Sequence, residues 1–181
     1  DLAFHCHLED PSVEELQRKR LELVAAQQVL SSASASHDVD ALGNALRGAM
    51  AVGLQDWSRE LVEEMTRTHR ELLEARYALR LSDAATGWER LQKARLDDLV
   101  ILLRAAVDDG CSQLREFDAV ERKLTDWIGS LAGEANADQL TEEQAQEYCS
   151  ALDALPQVQA TDRVVLAASR FREAAADLQR R

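Results

Sequence analysis

The stretch WERLQKARLDDLVILLRAAVDDGCSQLREFDAVERKLTDW, Trp88 to Trp127, decides the fold of this chain. Within it Leu96, Leu99, Leu102, Leu103 and Ala106 recur at the three-and-four spacing that puts side chains on one face of an α-helix. Val100, Ile101 and Val107 fall on the other side. A helix that is apolar nearly all round is unstable on a surface, so the segment reads as a central helix packed on more than one flank. The run Asp108, Asp109, Gly110 then ends it. It lacks the alternating Asp/Asn ligands and the closing Glu of a calcium loop.

Working outward, the pattern predicts a helix over Gln113–Leu131, with Phe117, Val120, Leu124, Trp127, Ile128 and Leu131 on one face. GEANADQ reads as a loop. Thr141 with Gln144 three residues on makes a capping box that opens a helix carrying Ala145, Tyr148, Leu152 and Leu155 inward. Pro156 lacks a donor and should end or kink it. A last helix starts at about Thr161, with Val164, Val165, Ala168, Phe171, Ala175 and Leu178 inward.

Upstream, residues 1–10 (DLAFHCHLED) have no helical period and read as a poorly ordered arm, or as one that packs through Leu2, Phe4 and Leu8. Ser12 and Glu15 have the spacing of a capping box. The helix that follows is expected to bury Val13, Leu16, Leu23, Val24 and Leu30 and to stop near Ser31, where SSASASHD begins. A second helix starts at Ser36 or Asp38, turns Val39, Leu42, Leu46, Ala49 and Met50 inward, and closes at Gly53. The small Gly43, Ala45 and Gly48 cost helix propensity, so they predict close approach of a neighbouring backbone. A third helix runs from Ser58 to about Leu81, with Leu61, Met65, Thr68, Leu72 and Leu79 inward and Trp57 and Tyr77 as candidates for its ends. Only Gly87 opposes its continuation through SDAATG into the central segment. These readings give an all-α chain, a bundle of about six amphipathic helices in a single elongated domain over residues 11–181, with a sub-boundary near residues 108–114.

Composition agrees: the 181 residues are 46% hydrophobic and 30% charged, with only two Pro and seven Gly, a helix-forming balance. The net charge of −12 comes from acids spread along the helices and argues against nucleic-acid binding. The longest strictly apolar run, Leu99 to Leu103, is far short of the roughly 20 residues that cross a bilayer. The Lys/Arg-rich polar face of a membrane-surface helix is absent too. Three dispersed cysteines form no disulfide framework, and with no signal peptide visible a cytoplasmic fragment of a larger protein is expected.

An internal echo organises the helices. VDALGNALRGAMAVG from Val39 overlays LDDLVILLRAAVDDG from Leu96, matching Leu42 with Leu99, Leu46 with Leu103, Ala49 with Ala106 and Gly53 with Gly110. Each copy leads into a second amphipathic helix, so the unit is an α-hairpin used at least twice, and such hairpins bury their faces by stacking. The helices after Thr141 suggest a third, diverged copy. In addition, Phe117, Leu124, Trp127 and Ile128 in REFDAVERKLTDWI resemble the first helix of a spectrin-type repeat, and Trp88, Leu91, Leu102 and Ala105 resemble the last helix of a preceding one. The resemblance implies three-helix bundle units and a cytoskeletal or membrane-skeleton scaffold, with no catalytic residues to carry over.

No grouping points to a reaction. His5, Cys6 and His7 are the sole cluster of potential metal ligands, and Cys111 and Cys149 offer no paired fourth position. His69 has no Glu-x-x-His partner spacing, so a di-iron bundle is not expected. Gly43, Gly48 and Gly53 are not followed by the Lys-Ser or Lys-Thr of a phosphate loop. Ser36, His37 and Asp38 are consecutive and cannot form a hydrogen-bonded relay while capping a helix. Cys111 follows two aspartates, a setting that raises a thiol pKa. The expectation is a non-catalytic helical scaffold or protein-interaction module with a protein partner, no cofactor and room for a homodimer. The alternative is a metal-binding or enzymatic bundle built on His and Cys.

Overall fold

The computed structural model describes residues 11–86, 93–137, 139–153 and 162–180. Among them are eight helices and no strand: α1 (Pro11–Ser36), α2 (Val39–Ala51), α3 (Leu54–Trp57), α4 (Arg59–Ala84), α5 (Lys93–Asp108), α6 (Arg115–Asn136), α7 (Glu142–Leu152) and α8 (Asp162–Arg180). The chain is all-α, and none of the described helices is long and apolar enough to cross a membrane. It divides inside α4 into two compact units, Asp1–Leu73 and Glu74–Arg181. The expected sub-boundary at residues 108–114 is instead a helix break within the second unit. The fate of Trp88, Leu91, Leu155 and Pro156 lies outside the described residues, as do His5, Cys6 and His7.

In the first unit α1 packs on α2 and α3. Leu23 and Leu30 of α1 meet Leu42, Leu46, Leu54 and Val62 in one apolar cluster, with Ala26, Ala33, Leu61, Met65 and Leu72 at its edge. Asp38 caps α2, its carboxylate accepting from the N–H groups of Asp40 and Ala41, which the first turn would otherwise leave unpaired. Several expectations need correction. Pro11 already belongs to α1, so Ser12 lies inside the helix and not ahead of it. The helix also outlasts Ser31. Ser and Ala do not break it, and it stops only where His37 adopts a left-handed φ of 55°. Leu16 is 69% exposed and Val24 39%, so neither is buried as the stripe predicts. Met50 and Leu79 are also exposed, and in α4 the buried positions are Val62, Tyr77 and Leu81. Trp57 is exposed at the end of α3.

In the second unit α6 lies along α8, α7 packs on α8, and α5 packs on α7. The small Ala167, Ala168, Ala174 and Ala175 on the buried face of α8 let α6 come close, opposite the buried Phe117, Val120, Leu124, Ile128 and Leu131. Trp127, only half-buried, stacks edge-on against Tyr148, which stacks in turn against buried Phe171. The Thr141–Gln144 capping box forms as expected at the start of α7. α6 runs on through GEAN, five residues beyond the expected end. In α5 Val100 is buried, but Ile101 is 65% exposed and Val107 half-buried, so the central helix is not covered all round; Val165 of α8 is exposed as well.

The internal echo is visible in burial. α2 buries Val39, Leu42, Gly43, Ala45, Leu46 and Ala49, and residue for residue α5 buries Leu96, Leu99, Val100, Leu102, Leu103 and Ala106. Each helix ends at a glycine of positive φ, 78° at Gly53 and 72° at Gly110, a conformation an L side chain resists. The next residue is buried in both, Leu54 at 0% exposure and Cys111 at 1%. A helix with the same core register and the same left-handed exit is therefore used twice.

Candidate functional site

A large apolar concavity lies in the first unit between α1 and α2. Over its second half α1 reads LVAAQQVLSSASAS, Leu23 to Ser36, without a charge. Leu23 and Leu30 point to the core, which leaves Ala25, Val29, Ser32 and Ser36 on the opposite side. From α2 come Ala41, Asn44, Ala45, Gly48, Ala49 and Val52. The result is an open groove of about 960 Å³, with Glu22 at one end as its sole charged lining residue. Its floor is shallow because the side chains are small, the shape that admits a helix ridge. Val29 is 58% exposed at the groove and Leu21, four residues before Ala25, is 70% exposed. With Leu16 and Val24 they make α1 an unusually apolar exposed helix.

The residues with chemical potential are otherwise engaged. Ser36 Oγ donates to Ala33 O and accepts from the Asp38 N–H, and His37 Nδ1 lies 3.2 Å from Ala35 O. The Ser36–His37–Asp38 run is thus a helix end and the start of the next cap. The tip of His69 lies over Gly43, where an added Cβ would come within 2.9 Å of Nε2. Gly43 therefore answers a side chain, not the neighbouring backbone that its small size predicts. Gly48 meets nothing within 4 Å and opens the groove.

Cys111 is buried with its Sγ 3.7 Å from Asp109 O, and Cys149 is half-buried; neither is in a disulfide. Burial pushes the Cys149 thiol up, with Asp153 adding to the rise and Arg172 opposing it. Among the described residues no three His, Cys, Asp or Glu side chains are placed to hold a metal ion together.

Among the described residues, polar contacts join sequence-distant positions in three places, one of them Lys123 Nζ donating to Ala85 O. Tyr77, 2% exposed, donates its hydroxyl to Asp109 Oδ2 at 2.6 Å. Its pKa is pushed up to about 12, first by burial and then by the Asp109 carboxylate. Arg172 of α8 donates to Leu152 O at 3.2 Å and to Asp153 Oδ1 at 3.0 Å, closing the C-terminal end of α7, where a cation is favoured. Sequence reasoning missed the groove. The signal was the charge-free run from Leu23 to Ser36, which the Ser/Ala stretch disguised as a loop. No protein-family model, curated protein or solved structure matches the chain.

Proposed function

We propose that the chain is a non-catalytic helical interaction module of a larger cytoskeletal or adaptor protein, acting in the cytoplasm and binding a protein partner through the α1–α2 groove. The observation that carries this reading is the groove itself, apolar, uncharged but for Glu22, and flanked by exposed Leu21 and Val29. Such a surface suits an amphipathic helix laid across it. Cys111 and Cys149, neither in a disulfide, suit a reducing compartment. The spectrin-type resemblance is supported by Phe117, Leu124 and Ile128 sharing the buried face of α6 with half-buried Trp127.

The test compares the full chain with Val29→Glu, a change at an exposed site that should leave folding within about 0.5 kcal/mol. A partner captured by the unaltered chain is purified and titrated against both. Saturable binding that Val29→Glu abolishes supports the reading. Partner binding untouched by Val29→Glu refutes the groove.

A further inference from the structure

We propose that the first half of α1 is a proteolytic cleavage site, where a protease that reads Lys or Arg cuts the chain at Arg18, Lys19 or Arg20 and leaves the first unit folded. This stands apart from the reading of the groove and does not depend on it. The nine residues from Glu14 to Glu22 are all exposed, between half-buried Val13 and buried Leu23. Nine residues make about two and a half turns, so no face of this stretch is covered. In no other described helix do more than three exposed residues follow one another. The apolar cluster takes its first α1 side chain at Leu23 and its next at Leu30.

A helical segment without tertiary burial has only its own backbone bonds to hold it, and isolated helices shorter than about 12–15 residues are marginal in water. Glu14 to Glu22 therefore opens locally while Leu23 and Leu30 keep the rest of α1 on the cluster. Proteolysis of a folded chain follows the population of such an open form. Chemistry and opening coincide here, because Arg18, Lys19 and Arg20 are the longest run of basic residues in the chain. A protease with a carboxylate in the pocket before the scissile bond takes Lys or Arg at each of the three. At the last of them water adds across the Arg20–Leu21 amide, which breaks to leave a carboxylate on Arg20 and an amine on Leu21. The cut takes nothing from the cluster, and the lining of the groove starts beyond it at Glu22.

The experiment is brief digestion of the full chain with trypsin under native conditions, the products identified by mass and the cleaved protein melted by circular dichroism. Arg47 of α2 is the internal control, exposed like the triplet but next to buried Leu46 and close to buried Ala49. Cleavage after Arg18, Lys19 or Arg20 is expected at least about tenfold faster than after Arg47. The cleaved protein should melt within about 3 °C of the intact chain. Leu16→Gly, which lowers helix propensity at an exposed position, should speed the cut by about threefold and leave the melting midpoint in place. Equal rates at the triplet and at Arg47, a cleaved protein whose midpoint falls further, or a Leu16→Gly chain that melts early without being cut faster overturns the proposal.

Discussion

Gly43 and His69 give the sharpest test of how the first unit is packed. In an unobstructed helix interior, Gly→Ala stabilises by about 1 kcal/mol, because alanine has less backbone freedom to lose. Gly48 is such a site, with nothing within 4 Å of its added Cβ, and Gly48→Ala should gain that full amount. At Gly43 the added Cβ would meet His69 Nε2 at 2.9 Å, with the ring carbons Cδ2 and Cε1 at 3.6 Å. The imidazole must therefore swing aside by several tenths of an ångström. Driving a side chain off its rotamer costs about 0.5–1.5 kcal/mol, which cancels most of the helix gain. Gly43→Ala should thus be neutral to within about 0.5 kcal/mol.

The cycle is closed with His69→Ala, which clears the space. In that background Gly43→Ala should recover its roughly 1 kcal/mol, a coupling of about that size between two residues in contact. Urea unfolding followed by circular dichroism reads the four proteins, and hydrogen exchange of the α2 amides assigns the change to the first unit. A Gly43→Ala that stabilises as much as Gly48→Ala with His69 in place would refute the contact. At the position equivalent to Gly43, α5 carries the buried Val100.

The remaining predictions test the echo and the second unit. Gly53→Ala and Gly110→Ala should each destabilise by about 1–2 kcal/mol in thermal unfolding, since both sit at positive φ; a loss at one alone would mean the two exits are not equivalent. Leu103→Ala, at a site 3% exposed, should cost about 2–5 kcal/mol in urea titrations, and a loss under half a kcal/mol would place Leu103 at the surface. Tyr77→Phe should cost about 1 kcal/mol by removing the hydroxyl that Asp109 accepts. Because the folded pKa of Tyr77 is raised to about 12 from about 10 unfolded, its contribution is complete below pH 10 and lost as pH rises toward 12; a Tyr77→Phe protein should lack that part of the alkaline decline, as read by unfolding at each pH. Arg172→Ala should destabilise by about 1–2 kcal/mol, with Arg172→Lys recovering only part because an ammonium lacks the second nitrogen of the guanidinium, whose Nε and Nη2 both donate to Asp153 Oδ1.

What could be read in advance follows from what leaves a periodic trace. The stripe Leu96, Leu99, Leu102, Leu103 and Ala106 and the stripe from Phe117 to Leu131 lie at the helical period, and both are buried except at the half-buried Trp127. Gly53, Gly110 and the Thr141 box are local devices whose residue type alone states the backbone needed. Ile101 was misjudged because an all-apolar helix says how many flanks suit burial, not how many neighbours arrive. Tyr77 with Asp109 and Arg172 with Leu152 left no trace, since a single polar contact between distant residues has no period.

The groove is the instructive case. A stripe that packs into a core and a stripe that awaits a partner are written in the same letters, and α1 carries one of each: Leu23 and Leu30 toward the cluster, Leu21, Ala25 and Val29 away from it. Only the length of the neighbours separates them. α2, with its 13 residues, is half as long as the 26-residue α1, so one hairpin cannot cover both faces of the longer helix.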